Sequence, residues 1–478
     1  MARSNGAKRP NILFILTDDQ RADTIRAWGN DHIHTPALDG LARRGTCFRN
    51  AYIMGGTQPA VCCPSRNMIL TGRSMFRIGE ETGETIPAEH ITLPELLRGE
   101  GYHAHHIGKW HQDRQSFHRS YSGADRIFGF NPGWYVQHGG QWNVAVHDFD
   151  PTGAYPTETG YLLAEDKKTH RPLKPAAGGV HSSEMFSDAA IAFLARHARG
   201  SATDRPFFLY LAYTAPHDPR QAPEEYKSRY DAANMRTPPN FLERHPFDNG
   251  EFTIRDEMLE GWPRRPHAVR RHIADYYAGI EFLDAQIGRV LAALHEYGLE
   301  DSTIVVFASD NGLAIGSHGL IGKQNLYEHS VRVPLIFAGP GVPVGKTRSD
   351  FCYLLDVYPT LCGMTGTALP SSVEGHDLTE AVRGSKAGGR KSLYFGYRGV
   401  QRAVRNERHK LIEYVTEEGS HTQLFDLAHD RYETHDLSGE ADCARIVEAM
   451  RGEVRQWRRA TGDDRKLEAA FWEGFGGA

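Results

Sequence analysis

The sequence predicts an α/β protein with a large mixed, mostly parallel sheet sandwiched by helices, followed by a small C-terminal antiparallel sheet and a helix. Two observations support this fold class. Residues 11–17, 206–213 and 303–308 are continuously apolar or nearly so, as is typical of strands buried on both faces of a parallel sheet. After residue 384 the chain changes to short strands in hairpin-like succession and then a helical pattern, which indicates a smaller α+β unit.

Length and composition predict two globular domains. A chain of 478 residues exceeds the usual size of one domain. We expect a large domain at residues 1–384, with an irregular insertion at about 116–179, and a C-terminal α+β subdomain at 385–478. The net charge of -5 is too mild to predict a nucleic-acid or membrane partner. Six cysteines in so long a chain predict neither a disulfide scaffold nor a zinc site.

The N-terminal residues give an expectation about the compartment. Residues 1–6 lack the apolar core of a signal peptide, and no apolar run is long enough to span a membrane. The sequence as given therefore predicts a cytoplasmic protein with no membrane partner. It would be periplasmic or secreted if a leader has been removed.

Two predicted strands end in acidic residues. The first strand is followed by Asp18 and Asp19, and the strand at residues 303–308 leads to Asp310 and Asn311. Open α/β sheets bind ligands beyond the carboxyl ends of their strands. Carboxylates and amide oxygens are hard ligands suited to Ca²⁺ or Mg²⁺. An isolated Asp-Asp pair is more typical of a solvated turn. Two acidic strand ends that meet at one point are a far more specific indication of a metal site.

The next elements are two helices and a strand. One helix is predicted to begin at Thr35 as N-cap with a proline in first position, and another at Thr92 in the same way. The strand at residues 102–107 leads to Lys109 and His111, candidates for binding an anion and moving a proton. This pair is weak as a bare motif, because surface lysines and half-buried histidines are common.

The insertion at residues 116–179 is rich in Gly, His, Trp and Tyr and shows no clear periodicity. Long irregular insertions in compact domains are often functional. Its aromatic and polar side chains suit sugar binding and ordinary loop packing equally well. The strand at residues 206–213 then leads to His217, which two prolines flank. A histidine in a stiffened loop after a central strand is a good candidate for a site residue.

The remaining segments complete the two units. Residues 276–294 form an amphipathic helix, whose apolar stripe we interpret as core only. A glycine-rich loop at residues 316–323 carries His318 and Lys323. Further elements of the large domain and of the subdomain are predicted at residues 333–337, 356–361, 392–395, 402–405, 410–414 and 423–427, with a last helix containing Ile446, Met450, Val454 and Trp457.

The most informative segment is residues 62–73, CCPSRNMILTGR. Cys62 ends a glycine-containing loop, and a helix is predicted to start near Asn67. A helix N-terminus favours anions, and Arg66 and Arg73 add positive charge. The local pattern is a nucleophile at a basic, anion-attracting helix start. A buried cysteine beside a turn, a vicinal disulfide with the next cysteine and a soft-metal thiolate pair remain as alternatives.

These twelve residues match C-x-P-S-R-x-x-x-L-T-G-R, the sulfatase signature, at every fixed position. The chain therefore resembles the formylglycine-dependent sulfatases of the alkaline-phosphatase-like superfamily. In that family the first cysteine of the signature is oxidised to formylglycine after synthesis. The resemblance assigns that residue to Cys62, places Cys63 in a variable position and implies a formylglycine-generating enzyme as maturation partner. Neither a disulfide nor a thiolate pair explains the Pro-Ser-Arg and Thr-Gly-Arg that follow.

The resemblance also implies the composition of the site. The metal is expected to be Ca²⁺, with Mg²⁺ as the alternative, bound by Asp18, Asp19, residue 62, Asp310 and Asn311. The sulfate oxygens would be held by Arg66, Lys109 and Lys323. His217 would protonate the leaving group, with Lys323 as the competitor for this role. His111 would accept the proton whose removal releases sulfate.

The expected function is hydrolysis of a sulfate ester on a sulfated small molecule or glycan, and a sulfated carbohydrate is favoured. Three other functions remain open. The first is hydrolysis of a phosphonate or phosphate ester on the same architecture. The second is a non-catalytic carbohydrate-binding protein of this fold, which requires that Cys62 is never converted. The third is a cysteine-thiolate hydrolase, for which basic neighbours would lower the pKa of the thiol.

Overall fold

The computed structural model describes residues 9–79, 85–130, 160–163, 170–172, 181–200, 205–218, 220, 222–385, 389–464 and 469–475. Its strands, numbered in chain order, are β1 (Asn11–Thr17), β2 (Gly45–Tyr52), β3 (Gly55–Gly56), β4 (His103–Gln112), β5 (Gly123–Phe130), β6 (Gly160–Leu163), β7 (His170–Pro172), β8 (Phe207–Ala212), β9 (Thr303–Ser309), β10 (Arg332–Ala338), β11 (Lys346–Arg348), β12 (Cys352–Tyr353), β13 (Ser392–Tyr397), β14 (Gln401–Asn406), β15 (His409–Thr416) and β16 (Gly419–Asp426). Its helices are α1 (Pro36–Arg44), α2 (Cys62–Thr71), α3 (Leu93–Gly99), α4 (Arg114–Ser120), α5 (Ser182–Arg199), α6 (Glu224–Lys227), α7 (Pro266–Glu296), α8 (Glu328–Val331), α9 (Val357–Thr365), α10 (Thr379–Val382), α11 (Ala444–Thr461) and α12 (Ala469–Gly474).

The large sheet has the order β11-β2-β10-β9-β1-β8-β4-β5-β6-β7, with β12 also paired to β2. The central strand β1 pairs parallel with both β8 and β9. The strand β4 pairs parallel with β8 and β5, whereas β10 is antiparallel to β9 and β2. All residues of β1, β8 and β9 are buried, because helices cover both faces of a parallel sheet. The predicted mixed, mostly parallel sheet is confirmed.

The register of the central strands brings the two acidic strand ends together. Thr17 at the end of β1 pairs with Ser309 at the end of β9. The segments that follow are therefore adjacent at the carboxyl edge of the sheet, where such folds bind ligands. The sequence predicted both strands to within one residue of their observed ends.

The small sheet has the order β16-β15-β14-β13-β3. Four of its strands come from the C-terminal region, as predicted, and pair antiparallel in succession. The fifth, β3, comes from the loop before α2 and pairs parallel with β13. Gly55 has φ +110°, and a Cβ there would lie 2.1 Å from the carbonyl oxygen of Gly396. Only glycine allows this close approach, which attaches the loop before Cys62 to the small sheet.

Hydrophobic contacts continue from the large sheet into the small one. Tyr52 of β2 meets Phe395 of β13 edge to face, with ring centroids 5.6 Å apart, and one buried core includes side chains from both sheets. The division at residue 384 stays a prediction. No helix in the described part of the chain is long and apolar enough to cross a membrane.

Several predicted boundaries were wrong. The helix α2 begins at Cys62 and not near Asn67, because a proline in the first turn needs no hydrogen-bond donor and is compatible with an earlier start. The helix α7 begins at Pro266, ten residues before the apolar stripe from which it was predicted, because its first turns are largely polar. The strand β4 continues through Lys109 and His111 to Gln112.

The insertion begins with regular structure, since α4 and β5 occupy its first part. The aromatic motifs at residues 133–142, which suited sugar binding and ordinary loop packing equally well, lie outside the described residues. The helix α3 has the predicted N-cap, because Thr92 and Glu95 form a capping box. In α1, Thr35 makes no capping hydrogen bond. The carboxylate of Asp284 accepts instead from the first backbone N–H groups of that helix, at 2.9 and 2.8 Å.

Candidate active site

Four predicted metal ligands meet where β1 and β9 end. The backbone N–H of Asp19 donates to Asp310 Oδ1 at 3.2 Å, and Asn311 Nδ2 donates to Asp19 Oδ1 at 2.6 Å. Asp18 and Asp310 are fully buried, and Asp19 is almost so. Three carboxylates at one buried point require positive charge nearby, because uncompensated buried charge is costly.

Arg66 supplies part of that charge from the first turns of α2. Its Nε donates to Asp310 Oδ2 at 2.8 Å, its Nη2 to Asp18 Oδ2 at 2.9 Å and its Nη1 to the Lys109 carbonyl oxygen at 3.0 Å. The side chain is fully buried. One guanidinium therefore connects both strand ends. A lysine could not replace it, because an ammonium lacks the planar, forked set of N–H donors.

Two lysines complete the charge balance. Lys109 Nζ lies 2.5 Å from Asp18 Oδ2, and Lys323 Nζ lies 2.6 Å from Asp19 Oδ1. Burial alone would lower the pKa of each lysine, but the surrounding acidic groups, led by Asp18 for Lys109 and by Asp19 for Lys323, together outweigh it and raise the pKa of both. Burial alone would raise the pKa of Asp18, but Lys109 and then Arg66 hold it well below its usual range. The lysines and Asp18 are therefore charged at neutral pH.

Cys62 lies beside this network. Its Sγ is 3.3 Å from His111 Nδ1 and 3.6 Å from Lys109 Nζ. Burial raises the pKa of the thiol to about 11, despite the two nearby lysines. Cys62 is thus a thiol at neutral pH, which does not favour the thiolate hydrolase. The vicinal disulfide is absent, because neither Cys62 nor Cys63 forms a disulfide bond.

His111 and His217 approach the network from the neighbouring parallel strands β4 and β8, His111 from β4 itself and His217 from the loop after β8. His111 follows the Gly108 irregularity of β4 and has φ 72°. Burial, and then the charge of Lys109, lowers the pKa of His111 well below its usual range. His217 Nε2 lies 3.7 Å from Asp19 Oδ2, and its Nδ1 lies 2.7 Å from the carbonyl oxygen of Asp218. The structure therefore brings all the predicted catalytic and metal-binding side chains into one buried cluster.

Two supporting residues were missed in the sequence. Ser65 Oγ donates to the Asp310 carbonyl oxygen at 2.6 Å. The hydroxyl of Tyr276 donates to the Asp19 carbonyl oxygen at 2.6 Å and accepts from the Arg21 backbone N–H at 2.9 Å. Ser65 is a fixed position of the signature and could have been assigned. Tyr276 gave no signal, because it lies on a helix that we interpreted as core only.

Two other residues belong elsewhere. Arg73, which was expected to add charge near Cys62, lies 3.6 Å from Glu374 at the far end of α2. His318, whose role the sequence left open, stacks on Tyr327 with centroids 3.8 Å apart, and its Nε2 lies 2.8 Å from the carbonyl oxygen of Glu433. It is a packing residue.

Tyr276→Phe is expected to lower the free energy of unfolding by about 1–3 kcal/mol, because it leaves the buried Asp19 carbonyl and Arg21 N–H without their partner. Urea titration checks this. Tyr277→Phe is the matched control: among the described residues its hydroxyl accepts one hydrogen bond, from the half-buried Asn30 side chain at 3.1 Å, so the substitution should lower the free energy of unfolding by less than Tyr276→Phe does. Equal effects of the two substitutions would contradict a role for Tyr276 in supporting Asp19.

The donor atoms fit a hard divalent cation. Asp18 Oδ1 and Asn311 Oδ1 are buried, and neither has a hydrogen-bond partner among the described residues. Orphaned buried oxygens of this kind are rare unless a ligand or ion satisfies them. Ligand atoms of Asp18, Cys62 and Asp310 lie within 4.8 Å of one another, as do those of Asp18, Asp19 and His217. Carboxylate and amide oxygens are suited to Ca²⁺ and Mg²⁺.

Two family models match the chain. The model "Sulfatase" matches residues 10–367, which is most of the chain and contains the whole cluster described above. The model "N-sulphoglucosamine sulphohydrolase, C-terminal" matches residues 316–460. Together they extend from β1 to the last turns of α11.

Known proteins resemble this chain along most of its length. The ulvan-active sulfatase of Formosa agariphila is 26% identical over 477 residues, covering 96% of this chain and 83% of that protein. A solved protein in complex with its substrate D-glucosamine-2-N,6-O-disulfate has a TM-score of 0.74 at 22% identity, covering 96% and 99% of the two chains. The phosphonate monoester hydrolase of Agrobacterium radiobacter has a TM-score of 0.72 at 22% identity, covering 95% and 96%. The structural likenesses show the fold, and the family match identifies this chain as a member of the sulfatase family of sulfuric ester hydrolases.

Proposed function

We propose that this sulfatase removes a sulfate group from a sulfated carbohydrate. The observation that carries the proposal is the convergence of Arg66, Lys109 and Lys323 on the buried carboxylates beside Cys62. Fixed cations in a closed site bind a charged group without reorganisation. The carbohydrate is supported by the relative active on ulvan and by the structural neighbour with a disulfated glucosamine as substrate.

Cys62 would act after conversion to formylglycine, and Ca²⁺ would be the metal. Asp18, Asp19, residue 62, Asp310 and Asn311 would hold the cation. Bound there, it would supply Lewis acidity and a more acidic hydroxyl at the modified residue. Asp18 Oδ1 and Asn311 Oδ1, which have no hydrogen-bond partner in the described part of the chain, support this assignment, and their chemistry suits Mg²⁺ as well.

Side chains of the protein itself would bind the sulfate group and transfer the protons. Lys109 and Lys323 would hold the sulfate oxygens, while Arg66 fixes the two carboxylate-bearing strand ends. His111, whose pKa is lowered mainly by burial, would be neutral and able to accept a proton at the position of the modified side chain, 3.3 Å away in this structure. His217 would donate a proton to the leaving oxygen, with Lys323 as the competitor.

His217→Ala is expected to reduce kcat on an unactivated sugar sulfate by roughly 10²–10⁴-fold, because the leaving alkoxide needs a proton. On an activated aryl sulfate, whose leaving group is stable as an anion, the loss should be much smaller. Steady-state kinetics on both substrates checks this, and the aryl sulfate is the internal control for folding and sulfate binding. Equal losses on both substrates would contradict the proton-donor role.

The alternative function is hydrolysis of a phosphonate or phosphate ester. The structural similarity to a phosphonate monoester hydrolase favours this alternative. We expect the sulfate ester to have the higher kcat/KM when sulfate, phosphate and phosphonate esters of one phenol are compared. A clear preference for the phosphonate would overturn the proposal. A protein that binds sulfated sugar but hydrolyses none of the three esters would be the non-catalytic alternative.

Three further expectations belong to this proposal. A formylglycine-generating enzyme would act on the chain during maturation. The compartment would be the cytoplasm for the sequence as given, and the periplasm or the exterior if a leader has been removed. Residues 1–384 would form the catalytic domain and residues 385–478 the α+β subdomain. The pairing of β3 with β13 would then couple that subdomain to the loop that carries Cys62.

A further inference from the structure

A cavity of about 460 Å³ lies outside the proposed active site. None of the side chains to which we give a catalytic or metal-binding role lines it in the described part of the chain. It lies behind the first acidic strand end, where Arg21 and Tyr276 form part of its wall. Its volume is within the range of pockets that hold small organic ligands.

Positive charge is concentrated in this cavity. Three arginines on separate parts of the chain, Arg49, Arg332 and Arg431, contribute to its lining. Burial first, and then the charge of Arg332, lowers the pKa of Arg49, with a smaller contribution from Arg431, so Arg49 is within electrostatic range of both guanidiniums. Two more arginines also line the cavity: Arg21 and Arg236. Like charges held together in a cavity attract a counter-ion or an anionic ligand.

The guanidiniums are only partly satisfied by protein groups. Arg49 donates to the Trp28 carbonyl oxygen at 3.1 Å and stacks over the Trp28 ring at 4.6 Å. Arg431 stacks over Tyr432 at 4.6 Å. Within the ranges that the structure describes, neither pairs with a carboxylate. Arg332 lies 3.7 Å from Glu328, but its buried Nε has no hydrogen-bond partner there.

A buried histidine adds a second observation. His329 lines the cavity and is only 8% exposed. Neither of its ring nitrogens has a hydrogen-bond partner among the described residues. Buried polar atoms are almost always hydrogen-bonded, so His329 and the Nε of Arg332 point to a ligand that supplies acceptors.

Most carboxylates of the cavity are paired with cations other than Arg49 and Arg431. Asp23 pairs with Arg21 at 2.6 Å, so the charges of these two residues cancel. Lys410 pairs with Glu328 at 3.2 Å and with Glu433 at 2.9 Å. Asp31, the remaining carboxylate among the described residues that line the cavity, is exposed to solvent.

We propose that this cavity is a second, non-catalytic site for an anionic saccharide. The guanidiniums of Arg49, Arg332 and Arg431 would pair with its sulfate or carboxylate groups, whose geometry matches the fork of an arginine. The aromatic side chains of Tyr277 and Tyr432, which also line the cavity, would contact the sugar rings. The inference does not depend on the hydrolysis proposed above, because no residue of the cavity takes part in it.

The test is calorimetric titration of the full chain carrying Cys62→Ser, which cannot turn over the probe. The probe is a sulfated disaccharide, with its unsulfated form as control. We expect two sites, and Arg49→Gln or Arg431→Gln in the same background should weaken one of them roughly tenfold to hundredfold. Arg445→Gln, which removes an exposed arginine of α11, is the matched control and should leave both sites unchanged.

The outcomes separate this site from the active site. A single site that is lost in the Arg49 and Arg431 variants would support the cavity and count against the proposed substrate. Isotherms unchanged by both variants would overturn the cavity proposal, as would equal affinity for the unsulfated disaccharide. If Arg49→Gln does not fold, Arg49→Lys replaces it in the experiment, because lysine keeps the positive charge. Arg49→Lys should still weaken binding, because lysine lacks the paired N–H donors of the guanidinium. An unsulfated uronate disaccharide that binds the same site would show that the cavity recognises a carboxylate as well as a sulfate.

Discussion

Cys62→Ser is expected to reduce sulfatase activity by roughly 10⁴-fold or more, because removal of a covalent nucleophile leaves only binding and electrostatic stabilisation. The protein should still fold, since serine fills nearly the same volume and the thiol makes only weak contacts, at 3.3 Å with His111 and 3.6 Å with Lys109. Initial rates on an activated aryl sulfate, measured with protein made alongside a formylglycine-generating enzyme, check the prediction.

Cys63→Ser is the matched control. Cys63 is also fully buried and forms no disulfide bond, but its Sγ faces the His111 carbonyl oxygen at 3.4 Å rather than the carboxylates. We expect it to keep activity within roughly tenfold of the parent, which is the size of an ordinary small packing change. Similar losses in both variants would contradict the assignment of Cys62 as the nucleophile's precursor.

Asp18→Asn is expected to weaken binding of the divalent cation by roughly a hundredfold or more, since even residues that only orient a ligand cost 10–100-fold when replaced. The substitution also removes the charge that Arg66 and Lys109 share, at 2.9 and 2.5 Å from Asp18 Oδ2. Activity should fall with the metal. Metal content after dialysis, together with rates across a Ca²⁺ titration, measures both effects.

Asp256→Asn is the control for charge removal near the site. Asp256 is also a largely buried aspartate, held by Arg255 at 2.9 Å and by Gln324 at 2.7 Å, but it is outside both clusters of metal-ligating atoms. It should keep its metal content. An Asp18→Asn protein that retains stoichiometric metal would contradict the proposed ligand set.

The sequence predicted the centre of the fold well because the relevant signals are local. The strands β1, β8 and β9 are apolar runs that end in polar residues, and their parallel pairing places the ends Asp18 and Asp310 side by side. The signature then located Cys62 and Arg66 without any structural information. For these residues the local pattern and the tertiary position agree, as expected for a locally consistent sequence.

Long-range contacts could not be predicted in this way. Tyr276 reaches Asp19 across 257 positions of the chain, and no periodicity marks a helical tyrosine as a partner of a strand end. The Asp284 carboxylate on α7 accepts the hydrogen bond from the first turn of α1, 247 positions away. The sequence had assigned this capping role to Thr35. The arginine cavity draws on Arg49, Arg332 and Arg431, which are scattered along the sequence and meet only in the folded chain.

The most direct test of the account is mass spectrometry of the tryptic peptide from Asn50 to Arg66, taken from protein made with an active formylglycine-generating enzyme. The account predicts that position 62 has lost its sulfur and gained an aldehyde oxygen, while Cys63 in the same peptide remains a thiol. A peptide in which Cys62 stays a thiol under these conditions would contradict the proposed chemistry.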